Sequence, residues 1–333
     1  MRLSTNRQQG FSMVELLVAM TLGIALSWLV LDVYLTSSRA QAALLRNQQL
    51  NETGRYLSEL LRREISSAGF YGYSTAVSEP NGGPADLCQF FDFTVANEQL
   101  SFPAAGINNS SGSLVCSDQR SSISSKESAS CDAQASFNIV PAVGTDLLVL
   151  RRVSFTPALA EATGARIINR TLSSCQHYLV SNAAGVGLVK FVKGDGSNRA
   201  LTGGAVWPYL EDIFYITEAG EFRRVYLDEG RYKNARTIAE GVEDFQIEYG
   251  IDISRDGSAD LWLAEPSTPE QWASVVMINF HLLLVGDIAR KTQPVKTFSY
   301  AGKQMTTTDD GLLRRLFSGS VRLASPAMRR SNP

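Results

Sequence analysis

From Asp252 to Asp260 oxygen-bearing side chains stand at alternate positions: Asp252, Ser254, Asp256, Ser258 and Asp260, with Gly257 in sixth place. That pattern matches the front of an EF-hand-type loop, in which hard oxygen donors surround Ca2+. Leu263 stands where the closing acid of such a loop belongs, and Arg255 adds a positive charge among the donors. The competing reading is a hairpin turn, because Asp-Gly is a strong turn signal. Cys175-Gln176-His177 sets a thiol beside an imidazole, as a nucleophile pair would require. A disulfide cysteine beside a surface histidine is the better reading of it. The other histidine, His281, lies inside an apolar run and reads as a structural, hydrogen-bonded residue. The motifs of zinc peptidases, α/β-hydrolases and P-loop enzymes are absent from the chain. Gly185-Val186-Gly187 and Gly194-Asp195-Gly196 are turns without the third glycine and following helix of a dinucleotide site. No catalytic residue is assigned, and the chain reads as a structural protein and not as an enzyme.

One ionisable residue stands out by position. Residues 11–31 are apolar with a single charge, Glu15, and follow a polar leader that carries Arg2 and Arg7 and no acid. About 20 apolar residues at 1.5 Å each span a hydrocarbon core. The basic flank stays in the cytoplasm, so the rest of the chain is expected on the other side. A carboxylate within such a span is costly and signals a partner. Glu15 sits one helical turn after Phe11. A cut between Gly10 and Phe11 would give Phe11 a new amine at the helix end, and Glu15 could neutralise that amine on a neighbouring subunit. A cleaved secretory signal is a poorer fit, because Ala40-Gln41-Ala42 lies far beyond the apolar stretch.

Gly10-Phe11-Ser12-Met13-Val14-Glu15 before an apolar helix resembles the class III signal of type IV prepilins and type II secretion pseudopilins. The resemblance implies cleavage after Gly10 and methylation of the Phe11 amine by a prepilin peptidase. Residues 144–152 (GTDLLVLRR), 240–252 (EGVEDFQIEYGID) and the ending LLRRLFSGSVRLAS further resemble the PilW family of minor pilins. That implies a subunit of the inner membrane with a periplasmic head, later part of an extracellular type IV pilus. The implied partners are other minor pilins and the major pilin through the N-terminal helix, and a tip adhesin. The implied roles are initiation or capping of the filament, twitching motility and adhesion. A type II secretion pseudopilin J is the alternative, and a membrane-anchored periplasmic binding protein or enzyme a more distant one.

The elements that must carry these residues follow from pattern. No proline occurs before Pro80, and Leu57, Leu60, Leu61 and Ile65 share one helical face opposite Arg55, Glu59, Arg62, Arg63 and Glu64. One helix is therefore expected over 11–68, membrane-spanning at 11–31 and amphipathic at 32–68, with Gly69 as its stop and Gly23 and Gly54 as weak points. Residues 69–333 form the head. Within it 70–136 reads as extended loops, with a Ser-rich piece at 108–136. Strands are expected at 146–153, 187–192, 212–217, 222–227, 242–253, 275–285 and 312–323. In the fifth of these, Phe245, Ile247 and Tyr249 alternate with Gln246, Glu248 and Gly250, which predicts one buried face. The expected fold is α+β and pilin-like, a long N-terminal helix packed on an antiparallel β-rich head. Cys88, Cys116, Cys131 and Cys175 are an even set without zinc-type spacing, so disulfides are expected in an exported head. Three pairings are open; the floppy loop between Cys116 and Cys131 favours bridging those two, which leaves Cys88 with Cys175. A net charge of −2 gives no reason to expect a nucleic-acid partner.

Overall fold

The computed structural model describes residues 12–72, 102–112, 114–116, 137–158, 177–181, 190–193, 205–228, 231–286, 295–307 and 310–324. Helix α1 covers Met13–Ser67 without a break. Its Leu, Ala, Arg and Glu content favours helix, and no proline interrupts the hydrogen-bond ladder. It stops where expected: Gly69 takes φ +76°, and its amide donates to the Arg151 carbonyl at 2.8 Å. The chain divides into two compact units, residues 1–51 and 52–333.

The second unit contains the last turns of α1 and the head. In chain order its strands are β1 (Ala104–Ile107), β2 (Leu114–Cys116), β3 (Phe137–Ile139), β4 (Leu147–Val153), β5 (His177–Ser181), β6 (Lys190–Lys193), β7 (Ala205–Ile216) and β8 (Phe222–Asp228). There follow β9 (Arg231–Ala239), β10 (Val242–Ile251), β11 (Leu261–Leu263), the short helix α2 (Pro269–Ala273), β12 (Val275–Gly286), β13 (Thr297–Tyr300), β14 (Lys303–Thr306) and β15 (Leu313–Arg322). All pairings are antiparallel. One sheet runs β1-β4-β7-β5-β6, with β8 on β7 and β9 on β8; a second runs β11-β10-β12-β15; β13–β14 and β2–β3 are separate hairpin-like pairs.

Several expectations need correction. The 70–136 stretch, read as loops, contains β1 and β2, and β2 lies inside the Ser-rich piece. Each is three or four residues long, too short to show a period. The strand expected at 187–192 is β6, shifted to Lys190–Lys193, and the one expected at 212–217 is the end of a strand that begins at Ala205. Pro208 hides that longer strand in the sequence; its ring lacks an N–H, yet its carbonyl accepts from the Ser154 amide. The alternation in β10 also has a different outcome. Phe245, Ile247 and Tyr249 are buried as expected, but so are Gln246 and Gly250. The Gln246 amide donates to the Gly144 carbonyl and to Asp244, so a loop covers that face and satisfies it. Gly250 lies beneath Trp262, Ala259 and Met277, where a Cβ would collide with Ala259 and press on the other two.

The two sheets meet at Asp146. Its carboxylate accepts from the Asn109 amide at 2.8 Å and the Ile247 amide at 2.7 Å, and its own amide donates to the Phe245 carbonyl. Asp244 lies nearby, bonded to Tyr300 of the β13–β14 hairpin at 2.6 Å and to Lys303 at 3.0 Å. Burial pushes the Asp146 carboxyl up to about 7; the two amide bonds and Lys303 oppose this, and Asp244 adds to it.

Candidate assembly interface

The first turns of α1 are exposed throughout. Met13, Leu17, Ile24, Trp28, Leu31 and Tyr34 are all exposed, Trp28 at 73 %. By length and composition α1 is long and apolar enough to cross a membrane. Its polar groups suit that setting. The Thr21 hydroxyl donates to the Val18 carbonyl at 2.9 Å and the Ser27 hydroxyl to the Gly23 carbonyl at 2.8 Å, so neither needs water. A Cβ on Gly23 would meet nothing within 4 Å, so that glycine leaves a notch on the helix surface. Small residues of this kind let helices approach closely in lipid. Glu15 lies in the first turn of α1 and is exposed. Gly10 and Phe11 lie outside the described residues.

The last turns of α1 are held quite differently. Leu57, Leu61 and Ile65 are fully buried, on the face read from the sequence. Gly54, expected as a weak point, is required by packing: a Cβ there would fall on the Phe317 ring of β15. On the same strand Gly319 makes room for Phe280 and for the guanidinium of Arg62.

Glu64 overturns a sequence expectation. It was placed on the charged outer face, yet it is 3 % exposed. Its carboxylate accepts from Arg152 at 2.9 Å and Arg63 at 3.0 Å, with Arg224 at 3.9 Å. Arg224 in turn donates to Asp212 at 2.8 Å. Burial alone would raise the Glu64 pKa, but the Arg152 and Arg224 guanidiniums outweigh it and hold the carboxyl below its usual value. The signal was present in the sequence as Arg151-Arg152 at the end of an apolar strand. Successive strand residues face opposite sides. Arg151 therefore enters the core, where its Nε donates to Glu211 at 2.9 Å and Tyr232 caps the same carboxylate at 2.7 Å. Arg152 faces α1.

The 252–260 loop is a hairpin connection between β10 and β11, with Ile251 opposite Leu261. Asp252 is fully buried, and its oxygens accept from the amides of Arg255 at 2.6 Å and Gly257 at 3.0 Å. Asp260 accepts from the amides of Ile253 and Ser254 at 2.7 and 2.8 Å, which holds its pKa below the usual value. Asp256 accepts from the Ser258 amide at 2.7 Å, and the Ser254 hydroxyl approaches Asp252 and Asp260 at 3.5 and 3.4 Å. These donors serve the loop's own amides. Among the described residues no three carboxylate, imidazole or thiol groups converge as at a metal centre.

His281 sits in β12 as a hydrogen-bonded residue, between the Ser318 hydroxyl at 2.8 Å and Glu248 at 3.2 Å, with its ring stacked on Tyr300. Cys88, Cys131 and Cys175 lie outside the described residues. Cys116 stands in β2 opposite Phe137, and His177 begins β5. The disulfide pairing therefore stays an expectation.

Comparisons with known proteins bear on both ends of the chain. Residues 213–325 match the family model of type IV pilus-assembly protein W, and residues 5–31 match that of the prokaryotic N-terminal methylation motif. The first covers β8 to β15, including the strand that receives Gly54. The second covers Gly10, Phe11 and Glu15. A type IV-like pilin from Thermus thermophilus is similar at 19 % identity over 36 % of this chain and 70 % of that chain, with a TM-score of 0.28. No curated protein matches the chain. The chain is thus similar to type IV pilus-assembly protein W over residues 213–325, and its exposed apolar helix begins within a match to the N-terminal methylation motif over residues 5–31.

Proposed function

We propose that the chain is a minor pilin. Prepilin peptidase removes residues 1–10, and the methylated amine of Phe11 becomes the N-terminus. The apolar turns of α1 hold the subunit in the inner membrane, with the head in the periplasm, until it moves into a growing filament. The observation that carries this reading is the contrast along α1: Glu15 and its apolar neighbours have no cover of their own, whereas Leu57, Leu61 and Glu64 are buried. Leaving lipid for a bundle of similar helices exchanges one apolar setting for another, so the lone carboxylate supplies the recognition. Glu15 pairs with the Phe11 amine of a neighbouring subunit. Other minor pilins and the major pilin are the helix partners, and the complex primes assembly and caps the tip in support of twitching and adhesion.

N-terminal sequencing of the membrane-extracted protein tests the processing step. N-methyl-Phe followed by Ser-Met-Val-Glu is expected; Met1 or Ala43 at the start refutes it. Glu15→Ala should insert into the membrane in normal amount and fail to join filaments. A variant that assembles as well as the parent would remove Glu15 from the recognition step. Association with secretion pseudopilins in place of pilins would move the subunit to the other machine.

A further inference from the structure

The second sheet ends on β15, which pairs with β12 and with no other strand among the described residues. The ladder fixes which backbone groups that strand leaves unused. The Leu323 amide donates to the Val276 carbonyl at 2.8 Å, and Met277 stands opposite Arg322. In an antiparallel pair, hydrogen-bonded and non-bonded positions alternate. Val321, Gly319, Phe317 and Arg315 therefore bond to β12. The N–H and C=O of Leu316, Ser318, Ser320 and Arg322 point the other way, along the outer edge of the sheet. Ser318, Ser320 and Arg322 are exposed.

A long, open edge is a hazard in a periplasmic protein unless something is meant to pair with it. No proline, bulge or inward charge blunts this one: the register with β12 is unbroken from Leu313 to Arg322. What it does carry is one sign of charge. Residues 311–324 contain Arg314, Arg315 and Arg322 and no acid. Arg314 is committed to Glu243 and Asp310. A second β15 laid on this edge would set arginines against arginines, which opposes self-pairing.

We infer that the outer edge of β15 is a β-augmentation site for an extended, acidic strand of a neighbouring filament subunit. Main-chain bonds at positions 316, 318, 320 and 322 hold the strand, and the exposed Arg322 favours a carboxylate on it. This is a contact between heads, separate from the Glu15 contact between helices.

Backbone hydrogen exchange on the full chain tests it, first in detergent and then in filaments. In detergent the amides of Ser318 and Ser320 should exchange at nearly free rates, and in filaments at least a hundredfold more slowly. Ser320→Pro removes an outward N–H without touching the β12 ladder. It should keep the head's melting temperature and lose filament incorporation, whereas Ser320→Ala should incorporate normally. Slow exchange already in detergent would mean that the chain covers its own edge, and would overturn the proposal. So would fast exchange in filaments that do contain the subunit, or normal incorporation of a folded Ser320→Pro variant. Absence of the unaltered chain from filaments would also overturn it, but would strike the minor-pilin reading at the same time.

Discussion

Replacing Glu64 by alanine should uncouple the last turns of α1 from the strands they lie on. The carboxylate is almost fully buried and faces Arg152, itself only 12 % exposed. Truncation would leave Arg152 buried without its partner, and Arg224 with Asp212 alone. Removing one member of a buried pair costs about 3–5 kcal/mol, because the survivor keeps its desolvation penalty. Arg63 is exposed and can follow solvent, so the lower end, about 3 kcal/mol, is the better figure. For a unit of this size that is roughly 5 °C in melting temperature. Calorimetry of the detergent-solubilised chain measures it. The pH dependence adds a sign. The folded pKa of Glu64 is lowered, so its contribution is fully present above the unfolded value of 4.5 and is lost as pH falls through the folded one. The variant and the parent should therefore converge in acid. Glu64→Leu combined with Arg152→Met should recover much of the loss, since replacing both charges removes the unpaired ion. A loss under about 1 kcal/mol at pH 7, or no recovery in the double variant, would refute the reasoning and make the pair a surface ornament.

Three further outcomes follow from the same structure. Gly54→Leu should destabilise the head by about 1–3 kcal/mol through overpacking against Phe317, and Phe317→Ala in the same chain should make the change milder; chemical denaturation measures both. The raised pKa of Asp146 works opposite to Glu64: stability should fall as pH rises between about 4 and 7, and a carboxyl carbon titration by NMR should show a midpoint near 7. Asp252→Ala should cost about 2–3 kcal/mol by orphaning the amides of Arg255 and Gly257, while calcium or a chelator leaves the melting temperature of the parent unchanged; a rise of several degrees with millimolar calcium would show that ions compete for those oxygens.

How much of this was legible in the sequence depends on the range over which each signal acts. The helix was readable almost to the residue, because composition, the i, i+3, i+4 spacing and a terminal glycine are local signals. The long strands β10, β12 and β15 were readable for the same reason. A short strand such as β1 gains its existence from a neighbour distant in the chain and carries no period of its own. The role of Gly54 was invisible because it depends on Phe317, far along the sequence. Glu64 was misread because a charge on an amphipathic helix is normally solvated, and only Arg152 arriving on β4 makes it otherwise. The Asp252 loop shows the converse: a pattern of alternating oxygens is equally suited to a cation and to a turn's own amides, and the order of donors alone does not separate them.

The two ends of α1 divide the work by where their hydrogen bonds and apolar surface find partners. Near Glu15 the Thr21 and Ser27 hydroxyls are satisfied within the helix, and in the proposed assembly the carboxylate takes its partner from another chain. Near Glu64 the helix spends its polarity inside its own head, on Arg152 and Arg224. A helix that satisfied Glu15 at home would have no reason to leave lipid for one neighbour over another. A helix that left Glu64 unsatisfied would be free to peel from the head under any pull on it, as the proposed filament would exert. Selectivity at one end therefore requires an unmet charge, and grip at the other requires a met one.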